Sequence, residues 1–362
     1  MRFLFNKILA PINSHVIDYP TPVILSYFWN FGSLAGIFLI VQLVTGIFLA
    51  MHYAPNTILA FNSVEHIMRD VNFGWLLRYC HSNGASIFLA IIYIHIGRGL
   101  YFQSFSYPRI FVWFSGIIIF LALMATAFLG YILPWGQMSF WGATVITNLA
   151  SAIPQVGQAI VIWLWGGFSV ENPTLNRFFT LHFLLPFIII GLSLLHILLL
   201  HIPGSTNPLA IKSSFDKIAF YPYFYLKDFY GLIICFLLFF IIVFFYPNVL
   251  GHSDNFIRAN ALVTPPSIVP EWYFLPFYAI LRAIPNKILG VIAMITSICI
   301  LFFVPFLYNC KIKSPKFKPI FRFFFYLFIS NFLLLGWLGS QHIEKPYIIL
   351  GQIGSIFHFF FF

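Results

Sequence analysis

An all-α fold is predicted, a polytopic membrane protein with about eight transmembrane helices whose first four form a bundle. Three observations carry that prediction. Only 8% of the 362 residues are charged and 61% are hydrophobic, where soluble domains carry roughly 25% charge. Eight apolar stretches approach the roughly 20 residues that cross a ~30 Å hydrocarbon layer. Four histidines lie inside two of those stretches as two pairs, His81 with His95 and His182 with His196, each pair 14 residues apart.

The stretches run from 32–52, 76–100, 111–133, 178–201, 229–246, 288–308, 320–340 and 346–362. The last is only about 17 residues, at the lower limit for crossing. Between the third and fourth lies a Trp- and Gly-rich connector from Leu133 to Asn176, read as short helices lying in the interface. A proline-rich connector runs from Pro247 to Lys287. The chain divides into a histidine-bearing N-terminal domain, 1–210, and a C-terminal helical domain, 211–362. Met1 to Asn30 shows neither an apolar run before a small-residue cleavage site nor an Arg/Ser-rich transit composition, so insertion through the first helices is expected.

Charge follows topology. With the N-terminus on side N, that side holds 12 basic and 3 acidic residues, net +9, and the opposite side P holds 7 and 6, net +1. The positive-inside rule places the N-terminus in the cytoplasm-equivalent compartment. The net charge of +10 is thus a membrane signature and gives no sign of a nucleic-acid partner. None of Cys80, Cys235, Cys299 and Cys310 forms C-x-x-C, so covalent haem attachment, iron–sulfur ligation and a disulfide framework are not expected.

On a helix, 14 residues make about 3.9 turns and about 21 Å of rise, so both members of a pair face nearly one side. The second and fourth spans run in the same direction. His81 and His182 therefore lie near side P, and His95 and His196 near side N. A single intramembrane histidine is most often a packing residue with a hydrogen bond. Two co-directional pairs with equal spacing point to iron ligation instead, hence to two haems stacked across the membrane. Gly32 and Gly46, then Gly116 and Gly130, repeat the 14-residue spacing and leave Cβ-free surface at both iron heights; glycines alone would fit ordinary small-residue helix packing equally. Arg78 and Arg98, one turn from His81 and His95, suit haem propionates or interfacial snorkelling.

The stretch Gly130-Tyr131-Ile132-Leu133-Pro134-Trp135-Gly136-Gln137-Met138-Ser139-Phe140-Trp141-Gly142-Ala143-Thr144-Val145-Ile146-Thr147-Asn148 and the segment Pro270-Glu271-Trp272-Tyr273 resemble cytochrome b of the respiratory bc1 complex, and the resemblance covers essentially the whole chain. It implies a catalytic subunit of ubiquinol:cytochrome c oxidoreductase (complex III) working by the Q cycle. His81 and His182 would ligate a low-potential haem b, and His95 and His196 a high-potential one. On side P, Glu271 and Tyr273 match the family's proton-handling positions. Tyr131, Phe128, Gly142, Ile146, Pro270, Phe274 and Tyr278 match its pocket for ubiquinol. On side N, His201, Asp228, Ser205 and Ser33 match the site that reduces ubiquinone. From the residues alone, His201 and Asp228 read equally well as helix-end caps.

The resemblance further implies a Rieske iron–sulfur protein, cytochrome c1, other complex III subunits and membrane lipids as partners, with a homodimeric complex. It implies a mitochondrial inner membrane with the N-terminus in the matrix, or alternatively a bacterial plasma membrane. Pro203, in Ile202-Pro203-Gly204, departs from the family's polar pattern, and the C-terminal helix reads as shortened. A photosynthetic b6-type chain would resemble only the first half and space its second pair by 15. A proton-relay transporter is the reading from another class, with broken helices at the midplane and no haem; a cofactor-free scaffold leaves the histidines unexplained.

Overall fold

The computed structural model describes residues 10, 13–308 and 312–362. Cys310, and Arg2, Lys7 and Lys311 among the 12 basic residues counted on side N, lie outside the described residues. Twelve α-helices follow in order among the described elements: α1 (Phe31–Ala50), α2 (Ala60–Arg69), α3 (Gly74–Tyr101), α4 (Ile110–Ile132), α5 (Gln137–Thr147), α6 (Gly157–Trp165), α7 (Asn172–His201), α8 (Tyr223–Phe245), α9 (Leu275–Ala283), α10 (Lys287–Leu307), α11 (Pro319–Ser340) and α12 (Tyr347–Phe361). Seven of these are long and apolar enough to cross a membrane: α1 (counted from Tyr27), α3, α4, α7, α8, α10 and α11. The eighth expected span is α12, an apolar helix of 15 residues. Its length is about 22 Å, less than the hydrocarbon layer. The expected interfacial helices in the first connector are α5 and α6.

Local chemistry explains the ends of the longest helix. Glu171 and Thr174 form a reciprocal capping box, with Pro173 in the first turn, where a missing N–H costs nothing. At its far end Gly204 takes φ +74°, which a residue without Cβ adopts freely, and its N–H reaches the Leu200 carbonyl at 2.9 Å.

In the bundle α1 packs along α3, and α4 along α7. Phe38, Leu89 and Phe239 are fully buried where α1, α3 and α8 meet. A two-stranded antiparallel sheet, β1 (Pro20–Pro22) with β2 (Lys217–Ala219), ties the segment before α1 to the α7–α8 connector. In the C-terminal part α9, α11 and α12 interlock. A Cβ on Gly339 would run into the Leu275 carbonyl, and Arg282 of α9 donates to the Gly339 and Gln341 carbonyls at 2.8 and 2.6 Å.

The two connectors, separate in sequence, are clamped together in space. Gln137 N–H donates to the Ile257 carbonyl at 2.9 Å and Ala259 N–H to that of Trp135 at 3.0 Å. Ser139 Oγ donates to Asn255 Oδ1 at 2.9 Å, and Gln137 Oε1 accepts from Asn260 N–H at 2.9 Å. A Cβ on Gly136 would collide with Asn255, so the glycine permits this close approach.

Candidate functional site

The 14-residue spacing resolves into two couples across α3 and α7. The rings of His81 and His182 have centroids 6.2 Å apart, and those of His95 and His196 6.4 Å apart. The co-directional helices thus pair the histidines as the sequence predicts.

Each glycine of the two repeats faces one histidine, and in a more specific way than expected. A Cβ on Gly46 would sit 3.0 Å from His81 Cε1, one on Gly32 3.3 Å from His95 Cε1, and one on Gly116 3.1 Å from His196 Cε1. On Gly130 it would overlap the His182 ring. The glycines of α1 and α4 thus each leave Cβ-free space beside one imidazole of α3 or α7.

Sequence reasoning missed the groups that orient these rings. The Thr45 hydroxyl donates to the Val41 carbonyl at 2.6 Å, so its oxygen accepts from His81 Nδ1–H at 2.9 Å. Ser115 repeats this with the Val112 carbonyl at 2.9 Å and His196 Nδ1 at 2.8 Å. His182 Nδ1–H donates to the Thr126 carbonyl at 2.8 Å. With Nδ1 carrying the proton, Nε2 presents a lone pair. The available signal was position: Thr45 and Ser115 directly precede Gly46 and Gly116.

Around the second couple, the Arg98 guanidinium lies 3.3 Å from both ring nitrogens of His95 and faces the Trp29 ring at 5.4 Å. Its Nε is buried without a partner, a position that an anionic group would satisfy. Arg78 lies instead within electrostatic reach of Glu271 and Tyr131.

The couple His81/His182 opens into a cavity of about 560 Å³ that also meets Arg78, Tyr131, Glu271 and Tyr273. The Pro-Glu-Trp-Tyr segment is held there by α3. Trp272 Nε1 donates to Ser86 Oγ at 3.1 Å, and the Tyr93 hydroxyl donates to the Tyr273 carbonyl at 2.5 Å. Tyr131 is hydrogen-bonded to Glu271. Burial pushes the Glu271 carboxyl up to about 7, although the Tyr131 hydroxyl and the Arg78 charge favour its ionised form. Burial likewise drives the Tyr273 phenol well up. Phe128, Gly142, Ile146, Pro270, Phe274 and Tyr278 do not line this cavity. Phe128 packs on Phe178, Phe274 on Tyr273, and the Tyr278 hydroxyl reaches the Ile268 carbonyl at 3.3 Å beneath Arg282. A Cβ on Gly142 would meet nothing within 4 Å.

On side N the expected residues occupy one end of the bundle without closing into a single cluster. Asp228 is hydrogen-bonded to Ser33 of α1. It stands in the second turn of α8, behind the Pro222 cap position, so it does not cap that helix. His201 ends α7 and stacks on His15 and Tyr19. No hydrogen bond or ion pair joins His201 to Asp228 among the described residues. Ser205 is fixed through its carbonyl, which accepts from Arg109 at 3.2 Å.

Comparison with known proteins agrees over the full length. The family model "Cytochrome b/b6/petB" matches residues 16–204, and "Cytochrome b(C-terminal)/b6/petD" matches residues 258–359. The chain is 59% identical over 362 residues to "Cytochrome b" of Chondrus crispus, covering 100% of this chain and 95% of that one. It is 61% identical over 357 residues to that of Phytophthora megasperma, covering 99% and 93%, and 61% identical over 359 residues to that of Triticum aestivum, covering 99% and 90%. A solved structure titled "Hyperthermophilic respiratory Complex III" superposes with a TM-score of 0.94 at 32% identity, over 100% of this chain and 96% of that one.

Proposed function

The chain belongs to the cytochrome b family of respiratory Complex III, and from that premise we propose that it carries electrons between a quinol-oxidising site on side P and a quinone-reducing site on side N through two haems b. The complex is an oxidoreductase and the chain one of its membrane-embedded subunits. His81 and His182 would hold the low-potential haem, and His95 and His196 the high-potential one.

The observation that carries this reading is the spacing of the two couples, 6.2 and 6.4 Å between ring centroids. That separation leaves room for an iron between the two imidazoles at metal–nitrogen lengths of about 2.0 Å, so each couple would suit such an ion. Among the described residues no group of three or more metal-binding side chains converges. Each couple therefore suits an iron that brings its other four ligands in a macrocycle. The unpartnered Nε of Arg98 suits a propionate beside the second couple. When bound, each haem supplies a one-electron carrier. The chain's part is to supply Nε2 lone pairs, fix the rings through Thr45, Ser115 and the Thr126 carbonyl, and exclude water.

Ubiquinol oxidation releases two electrons and two protons. Glu271, buried in the cavity beside His81 and His182 and hydrogen-bonded to Tyr131, is placed to accept a proton as ubiquinol loses it. Tyr273 and the neighbouring Pro270, Phe274, Tyr278, Phe128, Gly142 and Ile146 shape the approach. One electron leaves to a Rieske iron–sulfur protein and on to cytochrome c1, since this sequence has no cysteine pair for a cluster. The other crosses to side N. There His201, Asp228, Ser33 and Ser205 bind ubiquinone and deliver protons to its oxygens. The charge asymmetry supports an inner-membrane orientation with the N-terminus in the matrix, in a complex that forms a homodimer.

The test is a dithionite-reduced minus oxidised spectrum of the purified protein with extracted haem counted per chain. Two non-covalent b-type haems per chain are expected. None in a folded preparation would overturn the reading in favour of a proton-relay transporter.

A further inference from the structure

His201 is clasped by two aromatic rings from the segment ahead of α1. The His15 ring lies parallel to it, with centroids 5.2 Å apart and planes 9° apart. The Tyr19 ring lies 4.3 Å away at 32°. Both rings come from one segment, four residues apart, and both meet the imidazole of His201.

The clasp is anchored independently of His201. Phe220 N–H donates to the Tyr19 carbonyl at 3.0 Å and Tyr221 N–H to the Ile17 carbonyl at 3.0 Å, and β1 then pairs with β2. The Tyr19 hydroxyl would lie 3.5 Å from a Cβ on Gly204, so Tyr19 also closes over the turn that follows α7. Arg109 holds that turn through the Gly204 carbonyl at 2.7 Å and the Ser205 carbonyl at 3.2 Å. Residues on three separate stretches thus fix a ring that α7 alone, at its last residue, leaves free to turn.

We infer that His15 and Tyr19 are positioning residues for His201 in quinone reduction, and that charge on the His15 ring opposes charge on the His201 ring. This rests on the reading of side N as the quinone-reducing end. Tyr19 and the His15 ring restrict the rotamers of His201, so that its ring edge meets a quinone oxygen in one orientation. A second positive charge about 5 Å from the first is disfavoured. The other charged or titratable groups facing this cluster are Tyr19 itself, Arg109 beside Tyr19, and Asp18, which accepts a hydrogen bond from Asn13. No carboxylate contacts either imidazole among the described residues. His15 is exposed.

The test uses the intact complex and follows reduction of the side-N haem by added quinol as a function of pH, with quinol oxidation on side P silenced. His15→Phe keeps a ring for stacking and removes the charge. It is expected to retain most of the rate while the acid limb of the pH profile moves up by about half a pH unit or more. His15→Ala and Tyr19→Ala free the ring and are expected to lower the rate several-fold with both haems retained, and Tyr19→Phe to restore it. A His15→Phe profile that coincides with wild type, or a His15→Ala rate equal to wild type, overturns the inference. His201→Asn separates the two levels. If it leaves side-N haem reduction intact, the quinone-site reading itself is wrong. If it abolishes reduction while the His15 and Tyr19 variants change nothing, only the clasp is wrong.

Discussion

At the end of the bundle that holds His81 and His182, the couple opens into a cavity of about 560 Å³ shared with a buried carboxyl, Glu271. At the end that holds His95 and His196, the polar groups stand apart. Asp228 pairs with Ser33 on α1, and His201 stacks on two rings at the mouth of α7. The histidine couples themselves are nearly identical, at 6.2 and 6.4 Å. The difference lies in what surrounds them. Side P is enclosed by two connectors bonded to each other and to α3, whereas side N is finished by helix ends and a short sheet. Repeated helix spacing fixes where the two histidine couples sit, and the unrepeated connectors fix which groups stand beside each couple.

The largest effect expected is loss of one end at a time. His95→Ala should remove the side-N haem and leave the other spectrally present, and His182→Ala should do the reverse. Normal stoichiometry of both haems in either variant would sink the pairing. Next come the glycines, where the two ends differ in tightness. A methyl at Gly130 overlaps the His182 ring, while one at Gly32 stands 3.3 Å from His95 Cε1 and needs only a small shift. Gly130→Ala should therefore impair retention of the side-P haem far more than Gly32→Ala impairs that of its partner. Equal losses, read from extracted haem and the two absorption bands, would show that the glycines do not act through the rings they face.

Glu271→Gln sharpens the contrast through pH. Burial holds the Glu271 carboxyl protonated up to about 7, so its readiness to accept a proton grows as pH rises through that value. The wild-type complex should oxidise quinol faster across this window, and Glu271→Gln should be slower and lose that limb while retaining both haems. By linkage, a carboxyl that binds its proton more tightly when folded contributes stability below the unfolded value, and loses it as pH rises towards about 7. The Gln variant should accordingly lose less stability than wild type between pH 4.5 and 7.

The histidine pairing was legible because helix periodicity is a local, rigid rule: 14 residues put His81 and His95 on one face, and direction of travel decided their partners. The Pro-Glu-Trp-Tyr segment was legible as chemistry but not as place. Its position depends on Trp272 to Ser86 and Tyr93 to the Tyr273 carbonyl, contacts separated by more than 150 residues that no local pattern encodes. Tyr278, Phe128 and Ile146 were expected in the pocket wall by likeness alone; Phe128 packs on Phe178 and the Tyr278 hydroxyl reaches the Ile268 carbonyl. On side N the alternative cap role of Asp228 fails because α8 begins five residues earlier, at Tyr223, ahead of the Lys227-Asp228 pair that interrupts the apolar-aromatic run. His15 carried no signal, since a lone histidine in a segment without periodic pattern becomes informative only when β1 pairs with β2 and delivers it to α7.

The smallest effect expected separates the ends most cleanly. Thr45 supports His81 from α1 at side P, and Ser115 supports His196 from α4 at side N. Each hydroxyl is committed to a carbonyl of its own helix and accepts the Nδ1 proton, so each fixes the tautomer of one ligand of one couple. Loss of such a partner weakens a metal site by about tenfold at the low end, or about 1.4 kcal/mol. Thr45→Val should shift the midpoint potential and retention of the side-P haem alone, and Ser115→Ala those of the side-N haem alone. His182, bonded to the Thr126 backbone carbonyl, has no side chain to delete, so the side-P couple should keep one oriented ligand even in Thr45→Val. Redox titration of the two bands in each variant decides the matter. A shift of the wrong band, or of both together, would mean that the hydroxyls act on helix packing rather than on the imidazole each one touches.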